Sequence, residues 1–491
     1  MNEGATVRRL RLPDWPSLLR PRLDPTAITA LIAVASAALL LSGCATPGQP
    51  AERLAQATPA ALGLPDTAAP PAPGRWWALL GDEQLAGLVD RALRDQPSLA
   101  LARSRVDRAA ALARLTEAAD APQANLSVEA TRQRFTEHGL VPAPIAGSVR
   151  NTGTVQVGFG WSPDWYGQQA AALAASLGQA KAAEADAAAA ANALAAQVTR
   201  SYIALARLVA QREVAERTLA QREELRSLTS QRVAAGLDTR VEAVQADSAL
   251  PDARAQIEAL DEQISLARHQ IAALSGQAPD ALDALAPALG RLALQRLPAE
   301  LGADLLARRP DVASARWRIE SAGEEIKVAR TAFYPNVNLT AFIGLNAIGL
   351  DNVFDAGSRQ AGVTPALHLP LFDGGRLRAQ LGGREAELNG AIAQYNAAVL
   401  DAVREARDAI SSLQSLARQR REQAAALDGA QTAHALALQR YRAGLGSYLI
   451  VLNTETQWLA QRRQAVELQA RELDTGIALL RALGGGWTEQ I

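Results

Sequence analysis

Residues able to do chemistry are scarce in this chain, and they do not converge. His138, His269, His368 and His434 are scattered and show no metal-ligand spacing. No phosphate loop, nucleophile elbow or dinucleotide fingerprint occurs, and Gly374-Gly375 has an evident turn role beside a strand end. The acids and arginines of the helical stretches read as solvated faces with i,i+4 pairs rather than catalytic dyads. Cys44, the sole cysteine, stands directly behind an apolar run from Ala27 to Leu41 and has no partner for an intramolecular disulfide. No enzymatic activity is expected.

The surroundings of Cys44 explain why it stands alone. Arg8, Arg9, Arg11, Arg20 and Arg22 precede the apolar run, which ends in Leu41-Ser42-Gly43-Cys44. This resembles a bacterial lipoprotein signal with its lipobox, which implies that residues 1–43 are a signal peptide and that Cys44 becomes the acylated first residue. A plain signal peptide or a single inner-membrane anchor is the alternative. Ala45 stands where such lipoproteins carry Asp when they stay behind, so sorting to the outer membrane is implied. The covalent lipid on Cys44 is the only cofactor expected. Removing five Arg and three acids with the signal moves the net charge from −1 to −3, which leaves no basic footprint for nucleic acid.

The element that organises everything else is the run from Arg376 to Arg442. It is rich in Ala, Leu, Gln, Arg and Glu and free of Pro, so it reads as one helix about 100 Å long. Its charges forbid a place in lipid. It ends at Ala443-Gly444-Leu445-Gly446-Ser447, where Gly444 suits a left-handed cap and Ser447 can cap a returning helix. The same object occurs earlier: Arg232, Ala235, Gly236 and Leu237 match Arg440, Ala443, Gly444 and Leu445 at an offset of 208, which makes Gln168 to Ala234 the first copy. Thr239-Arg240-Val241-Glu242 is a capping-box pattern that starts the first return helix, and Pro251 is expected to kink it. A further match at an offset of 213 runs from Gln96-Pro97 against Arg309-Pro310 to Pro122…Asn125 against Pro335…Asn338. The mature chain is a two-fold repeat, 76–288 and 289–491, behind a tether at 44–75 whose Pro, Ala and Gly predict flexibility.

Between the helices the period changes from 3.6 to two. Asp82 to Thr116 is predicted as one helix, and Leu126, Val128 and Ala130 then alternate with polar neighbours. Strands are predicted at about 124–134, 152–162, 336–345 and 362–371, each long enough to cross a bilayer obliquely. No apolar run after Cys44 is long enough for a transmembrane helix. Four strands cannot close, and open edges in lipid are costly, so several subunits must pool them in one barrel. A soluble four-stranded sheet packed on helices is the competing reading. The offset falls from 213 to 208 across the first strand-to-strand loop, which gives that loop a five-residue excess and places it at the cell surface.

A family resemblance rests on Trp76…Leu80-Gly81-Asp82…Leu85…Leu88, Arg309-Pro310-Asp311-Val312, Ala332-Phe333-Tyr334-Pro335-Asn336-Val337-Asn338-Leu339, Leu369-Pro370-Leu371-Phe372-Asp373-Gly374-Gly375-Arg376, Arg440-Tyr441-Arg442-Ala443-Gly444 and Leu483-Gly484-Gly485-Gly486-Trp487. The sequence resembles outer membrane efflux proteins of the TolC type, in particular the NodT-like lipoprotein branch. The resemblance implies a mainly α fold in a homotrimer: long antiparallel coiled-coil hairpins form an α-barrel across the periplasm, and four strands per protomer build a 12-stranded membrane β-barrel. It implies a passive, gated exit duct for small molecules, served by a periplasmic adaptor and an inner-membrane pump. Gly236, Leu237, Gly444 and Leu445 are then adaptor-contact candidates, and Tyr441, Leu449 and Asn453 entrance candidates. Asn453 stands where family members carry Asp, so a charged ring is not expected. Glu455 is expected to face solvent. A type I protein-secretion duct is the alternative within this class, and a lipid-anchored coiled-coil scaffold without a pore is the alternative outside it.

Overall fold

The computed structural model describes residues 46–63, 73–294 and 308–488, so Cys44 and its lipobox lie outside the described residues. Eleven main elements follow in order: α1 (Glu83–Asp95), α2 (Pro97–Ala118), β1 (Gln123–Arg134), β2 (Val149–Trp161), α3 (Gln168–Ala234), α4 (Arg240–Leu274), α5 (Pro310–Thr331), β3 (Asn336–Ile348), β4 (Arg359–His368), α6 (Arg376–Arg442) and α7 (Tyr448–Ala482). The repeat is visible in the lengths, since α3 and α6 each span 67 residues and α4 and α7 each span 35. The expected single helix from Asp82 to Thr116 is two. Gln96 is extended at ψ 122° because the ring of Pro97 crowds the preceding residue, and Pro97, which has no amide hydrogen to lose, opens α2. Helix α4 continues through Pro251 over its full 35 residues.

The four strands form one antiparallel sheet in the order β1-β2-β3-β4. Its register puts Leu126 opposite Val157, Val157 opposite Ile343, and Ala341 opposite Val363. One face is therefore an apolar band, and it is bare: Leu126, Val128, Ile343, Val363 and Leu367 are 60–71% exposed. The opposite face is polar, with Gln360 donating to Gln156 at 3.2 Å and Asn346 to Thr154 at 2.9 Å. Apolar outside and polar inside inverts a soluble sheet and is the pattern of a membrane barrel wall. Strands β2 and β4 each begin three residues before their expected starts, and β4 ends at His368, so Leu369 and Leu371 belong to the link into α6.

Helix α3 is the spine of the protomer and packs on α2, α4, α5 and α7. The largest core surrounds its middle, where Trp76, Leu85, Val89, Tyr202, Leu205, Ile271 and Ile477 are fully buried. Asp82 links α1 to α3 by accepting from the amide of Leu85 at 3.0 Å, which caps α1, and from the Tyr202 hydroxyl at 2.9 Å. The chain end closes this region through three successive left-handed glycines. A Cβ on Gly484 would lie 2.1 Å from the Arg308 carbonyl oxygen, and one on Gly486 would lie 2.3 Å from that of Pro73.

The tether departs from expectation. Residues 46–63 lie along α6, from Arg378 to Arg407, hydrogen-bonded through their backbone. Composition alone cannot show this docking, because the side chains that hold it belong to a helix more than 300 residues away.

Candidate functional site at the hairpin tips

Both hairpins reverse by the same local device. Leu237 donates to the Arg232 carbonyl at 2.9 Å around Gly236 (φ 73°), and Leu445 donates to that of Arg440 at 2.8 Å around Gly444 (φ 77°). These six-to-one bonds are Schellman closures, which need a left-handed residue that glycine supplies without strain. Leu237 and Leu445 project from the turns, 64% and 70% exposed. The restarts differ. Thr239 forms a full capping box with Glu242, whereas Ser447 occupies the N-cap of α7 without a side-chain cap bond, so the expected Ser447 cap is absent. Its box partner is missing as well, because Ile450 stands where the first copy has Glu242.

One buried cluster joins the two tips. Arg232, near the end of α3, forms a bidentate pair with Asp238 in the first turn, at 2.8 and 3.1 Å. Its third nitrogen donates to the Tyr441 carbonyl of α6 at 3.0 Å, and its guanidinium lies 4.5 Å from the Tyr441 ring centroid. The fully buried Tyr441 returns the contact by donating its hydroxyl to Asp238 at 2.6 Å, and that hydroxyl lies 3.1 Å from Thr229 Oγ1. Arg232 and Asp238 side chains are each only 10% exposed. The Arg232 guanidinium, joined by the Tyr441 hydroxyl, holds the Asp238 carboxyl below its ordinary range, and burial next to that carboxylate pushes Tyr441 up to about 12. The cluster therefore keeps its charges and its hydroxyl proton at any physiological pH.

A second clamp sits further up the coil. Arg222 of α3 reaches Glu455 of α7 at 3.4 Å, the Ala249 carbonyl of α4 at 3.0 Å and Asp252 of α4 at 3.5 Å, so one guanidinium ties α3 to two other helices. Glu455 is 2% exposed, which corrects the expectation that it faces solvent. Helical phase around α7 alone cannot reveal an arginine arriving from α3. Burial pushes the Glu455 carboxyl above its ordinary value, against the opposing pull of Arg222.

Comparison with known proteins identifies the family. The outer membrane efflux protein model matches residues 88–277 and 301–485, one segment in each half of the repeat. The chain belongs to the outer membrane efflux protein family. It is 34% identical over 463 residues to the multidrug resistance outer membrane protein MdtQ of Escherichia coli O6:H1, covering 91% of this chain and 96% of that one. It is 31% identical to MdtP of Shigella flexneri over 93% of this chain and 96% of that one. Among solved structures, VceC of Vibrio cholerae superposes with a TM-score of 0.79 at 34% identity, covering 84% of this chain and 99% of VceC. The outer-membrane channel OprN superposes with a TM-score of 0.80 at 26% identity, covering 90% and 99%. The protein is thus an outer membrane efflux channel component, and its four-stranded sheet and long helical hairpins are the fold of the efflux channels whose solved structures combine an α-barrel with a trimeric β-barrel.

Within this efflux protein the entrance candidates do not sit together. Tyr441 is locked inside the tip cluster, while Leu449 (56% exposed) and Asn453, one helical turn apart, share an open face of α7. Sequence reasoning missed Arg232, Asp238, Thr229 and Arg222, all of which act through residues distant in sequence. A cavity of about 550 Å³ lies beside the second clamp, lined among others by Leu225, Leu228, Gln431, His434, Glu455 and Trp458. His434 stacks on Trp458 at 5.2 Å, and burial lowers its affinity for a proton. Among the described residues no group of histidines, cysteines or acids could hold a metal, and no helix is long and apolar enough to cross a membrane.

Proposed function

We propose that this protein is the lipid-anchored exit duct of a tripartite efflux assembly, a passive homotrimeric channel that receives small molecules from an inner-membrane pump through a periplasmic adaptor. The observation that carries the reading is the joining of the two hairpin tips by Arg232, Asp238 and Tyr441. Arg232 and Asp238 belong to the first tip and Tyr441 to the second, so the buried cluster ties the two ends together at one point, as a gate requires. In this reading Tyr441 holds the tip of the second hairpin against the first, and Leu449 and Asn453 narrow an uncharged polar entrance. Gly236, Leu237, Gly444 and Leu445 form the apolar knobs and turns that an adaptor meets. Small molecules as cargo are supported by the multidrug resistance names of the MdtQ and MdtP relatives. Acylation of Cys44 supplies the anchor, and the covalent lipid is the only added group the reading requires.

The test is single-channel recording of the purified mature protein in planar bilayers, with native mass measured on the same sample. A trimer with discrete conductance steps upholds the duct. A monomer without conductance would leave the scaffold reading in its place.

A further inference from the structure

The cavity beside the second clamp carries an inference of its own. Its walls come from both hairpins, with Leu225 and Leu228 of α3, His434 and Leu438 of α6, and Glu455 and Trp458 of α7. Glu455 and Trp458 are 2% and 8% exposed, and each keeps one polar atom without a hydrogen bond. Glu455 gives only Oε2 to Arg222, at 3.4 Å, and its Oε1 accepts nothing among the described residues. Arg222 is not part of the wall, so it meets the carboxylate from outside the cavity. The indole Nε1 of Trp458 has no acceptor among the described residues.

The two copies of the repeat show what this carboxylate lacks. At the offset of 208, Arg226 corresponds to His434, Asp247 to Glu455 and Leu250 to Trp458. In the first hairpin Arg226 of α3 donates to Asp247 of α4, so the acid meets a cation of its own hairpin, out in solvent. In the second hairpin that cation is gone. His434 lies on Trp458 instead, with ring centroids 5.2 Å apart and planes 12° from parallel. Burial lowers its affinity for a proton, so a flat neutral ring stands where the first copy has a guanidinium. The acid is buried as well, and a buried carboxylate with one open oxygen is short of a donor. Glu224 adds a second carboxylate to the walls, and Arg442, the last residue of α6, a guanidinium at the end towards the tips. Glu455 stands seven residues into α7, about 10 Å further from the tips, so the two signs are held apart. The volume of about 550 Å³ falls within the range of roughly 300–1,000 Å³ typical of small-molecule sites.

We infer that this cavity is a binding site for a small aromatic cation, whose positive nitrogen takes the place of the missing arginine at Glu455 while its ring lies along His434 and the leucines. The nitrogen supplies the open oxygen with a counter-charge in a dry setting, and Leu225, Leu228 and Leu438 take up the apolar ring. Such an occupant touches α3 of the first hairpin and both helices of the second. It therefore ties together the same two hairpins that Arg232, Asp238 and Tyr441 join at the tips, and holds the entrance shut. That consequence rests on the gate proposed above, whereas the binding site does not.

Ethidium, a planar aromatic cation of fixed charge, is the probe, and its fluorescence anisotropy on titration with the full-length mature protein, against detergent alone, reads binding. Saturable binding to the wild type is expected at pH 7.5. Glu455→Gln keeps the shape of the side chain and an oxygen for Arg222, and is expected to weaken binding at least about 10-fold. Ala435→Leu, at the exposed lip of the cavity, takes up space without touching a charge and is expected to weaken binding as well. No saturable binding to the wild type would overturn the site and leave water as its only occupant. An unchanged affinity in E455Q would overturn the cationic class of ligand, and an unchanged affinity in A435L would overturn the location. For the gate, ethidium in planar-bilayer recording is expected to lower the open probability of the wild type, and that of E455Q only at concentrations about 10-fold higher. An equal response in both would overturn the tie between the hairpins. A protein that never conducts fails the duct reading and leaves the anisotropy to judge the site.

Discussion

Asp238→Ala is the sharpest probe of the tip cluster. The carboxylate accepts three hydrogen bonds, two from Arg232 and one from Tyr441, and its removal leaves the buried guanidinium with the Tyr441 carbonyl as its remaining close partner there. Breaking one side of a buried ion pair costs about 3–5 kcal/mol, because the other charge stays desolvated. The ion pair itself lies within the first tip, so the part of this loss that acts on the clasp is the Tyr441 hydrogen bond to Asp238 and the seating of Arg232 on the Tyr441 carbonyl, together at least about 2 kcal/mol, which shifts the closed-to-open balance of each protomer by at least about 30-fold. Tyr441→Phe removes one hydroxyl and keeps the ring under Arg232, so its shift is smaller, about 1–2 kcal/mol or roughly 5- to 30-fold. Planar-bilayer recording reads both variants as a rise in open probability or mean conductance, in the order wild type, Y441F, D238A. Native mass and far-UV circular dichroism establish that the trimers are intact.

The pH response sharpens the same test. Asp238 has a lowered value in the clasped state, so its contribution is present above the ordinary aspartate value of about 3.9 and is lost as pH falls through the lowered one. Wild-type conductance set by this latch should therefore be flat from pH 8 down to pH 5. An intact D238A trimer that conducts like wild type would refute the assignment of the cluster as a latch, as would a Y441F effect larger than that of D238A.

Three other outcomes follow from the described geometry. Glu455 has a raised value, so its contribution to stability is fully present below the ordinary glutamate value of about 4.3 and is lost as pH rises through the folded one. Glu455→Gln stays neutral throughout, so the Tm of E455Q relative to wild type should be higher at pH 7.5 than at pH 4, and a pH-independent difference would contradict this. Thr239→Ala removes the capping box and should cost about 1 kcal/mol, seen as faster amide exchange confined to the first turn of α4. Gly484→Ala meets both a φ of 92° and a carbonyl 2.1 Å away, so a loss of at least about 2–3 kcal/mol is expected in urea unfolding, and a near-neutral result would remove the close packing of the chain end on Arg308.

Much of the frame is legible in the sequence because it depends on local signals. A 67-residue stretch free of proline and rich in Ala, Leu, Gln, Arg and Glu reads as helix, and the paired turn glycines fix where it folds back. The period-two segments give the sheet, although its boundaries move because Leu369 and Leu371 continue the alternation after pairing has ended at His368. What could not be read depends on partners supplied by other elements. Glu455 has the composition and phase of a solvated residue, and only the arrival of Arg222 from α3 makes its burial tolerable. Asn389 and Asn396 read as ordinary polar positions on a helix, and the tether as ordinary low-complexity chain, until the two lie side by side.

A usable signal was nonetheless present, in the places where the two copies disagree. At the offset of 208, Arg232 corresponds to Arg440, yet Asp238 corresponds to Gly446, Thr229 to Ala437, and Tyr441 to Val233. The shared arginine has opposite fates as a result. Arg232 is buried between Asp238 and Tyr441, while Arg440 stays exposed with a 3.4 Å bond to the Leu445 carbonyl. The capping box follows the same division, complete at Thr239 and Glu242 and absent at Ser447 and Ile450. A hairpin tip with a capped restart and an internal ion pair is the stiffer of the two, and the uncapped tip is the one that can move. In the gate proposed above, the first hairpin would then be the fixed post and the second the moving leaf, with Tyr441 as the contact to be released. Installing Asp at Gly446 and Glu at Ile450 would stiffen the leaf itself, and slower exchange at the start of α7 without a change in the Asp238 contacts would separate leaf stiffness from latch strength.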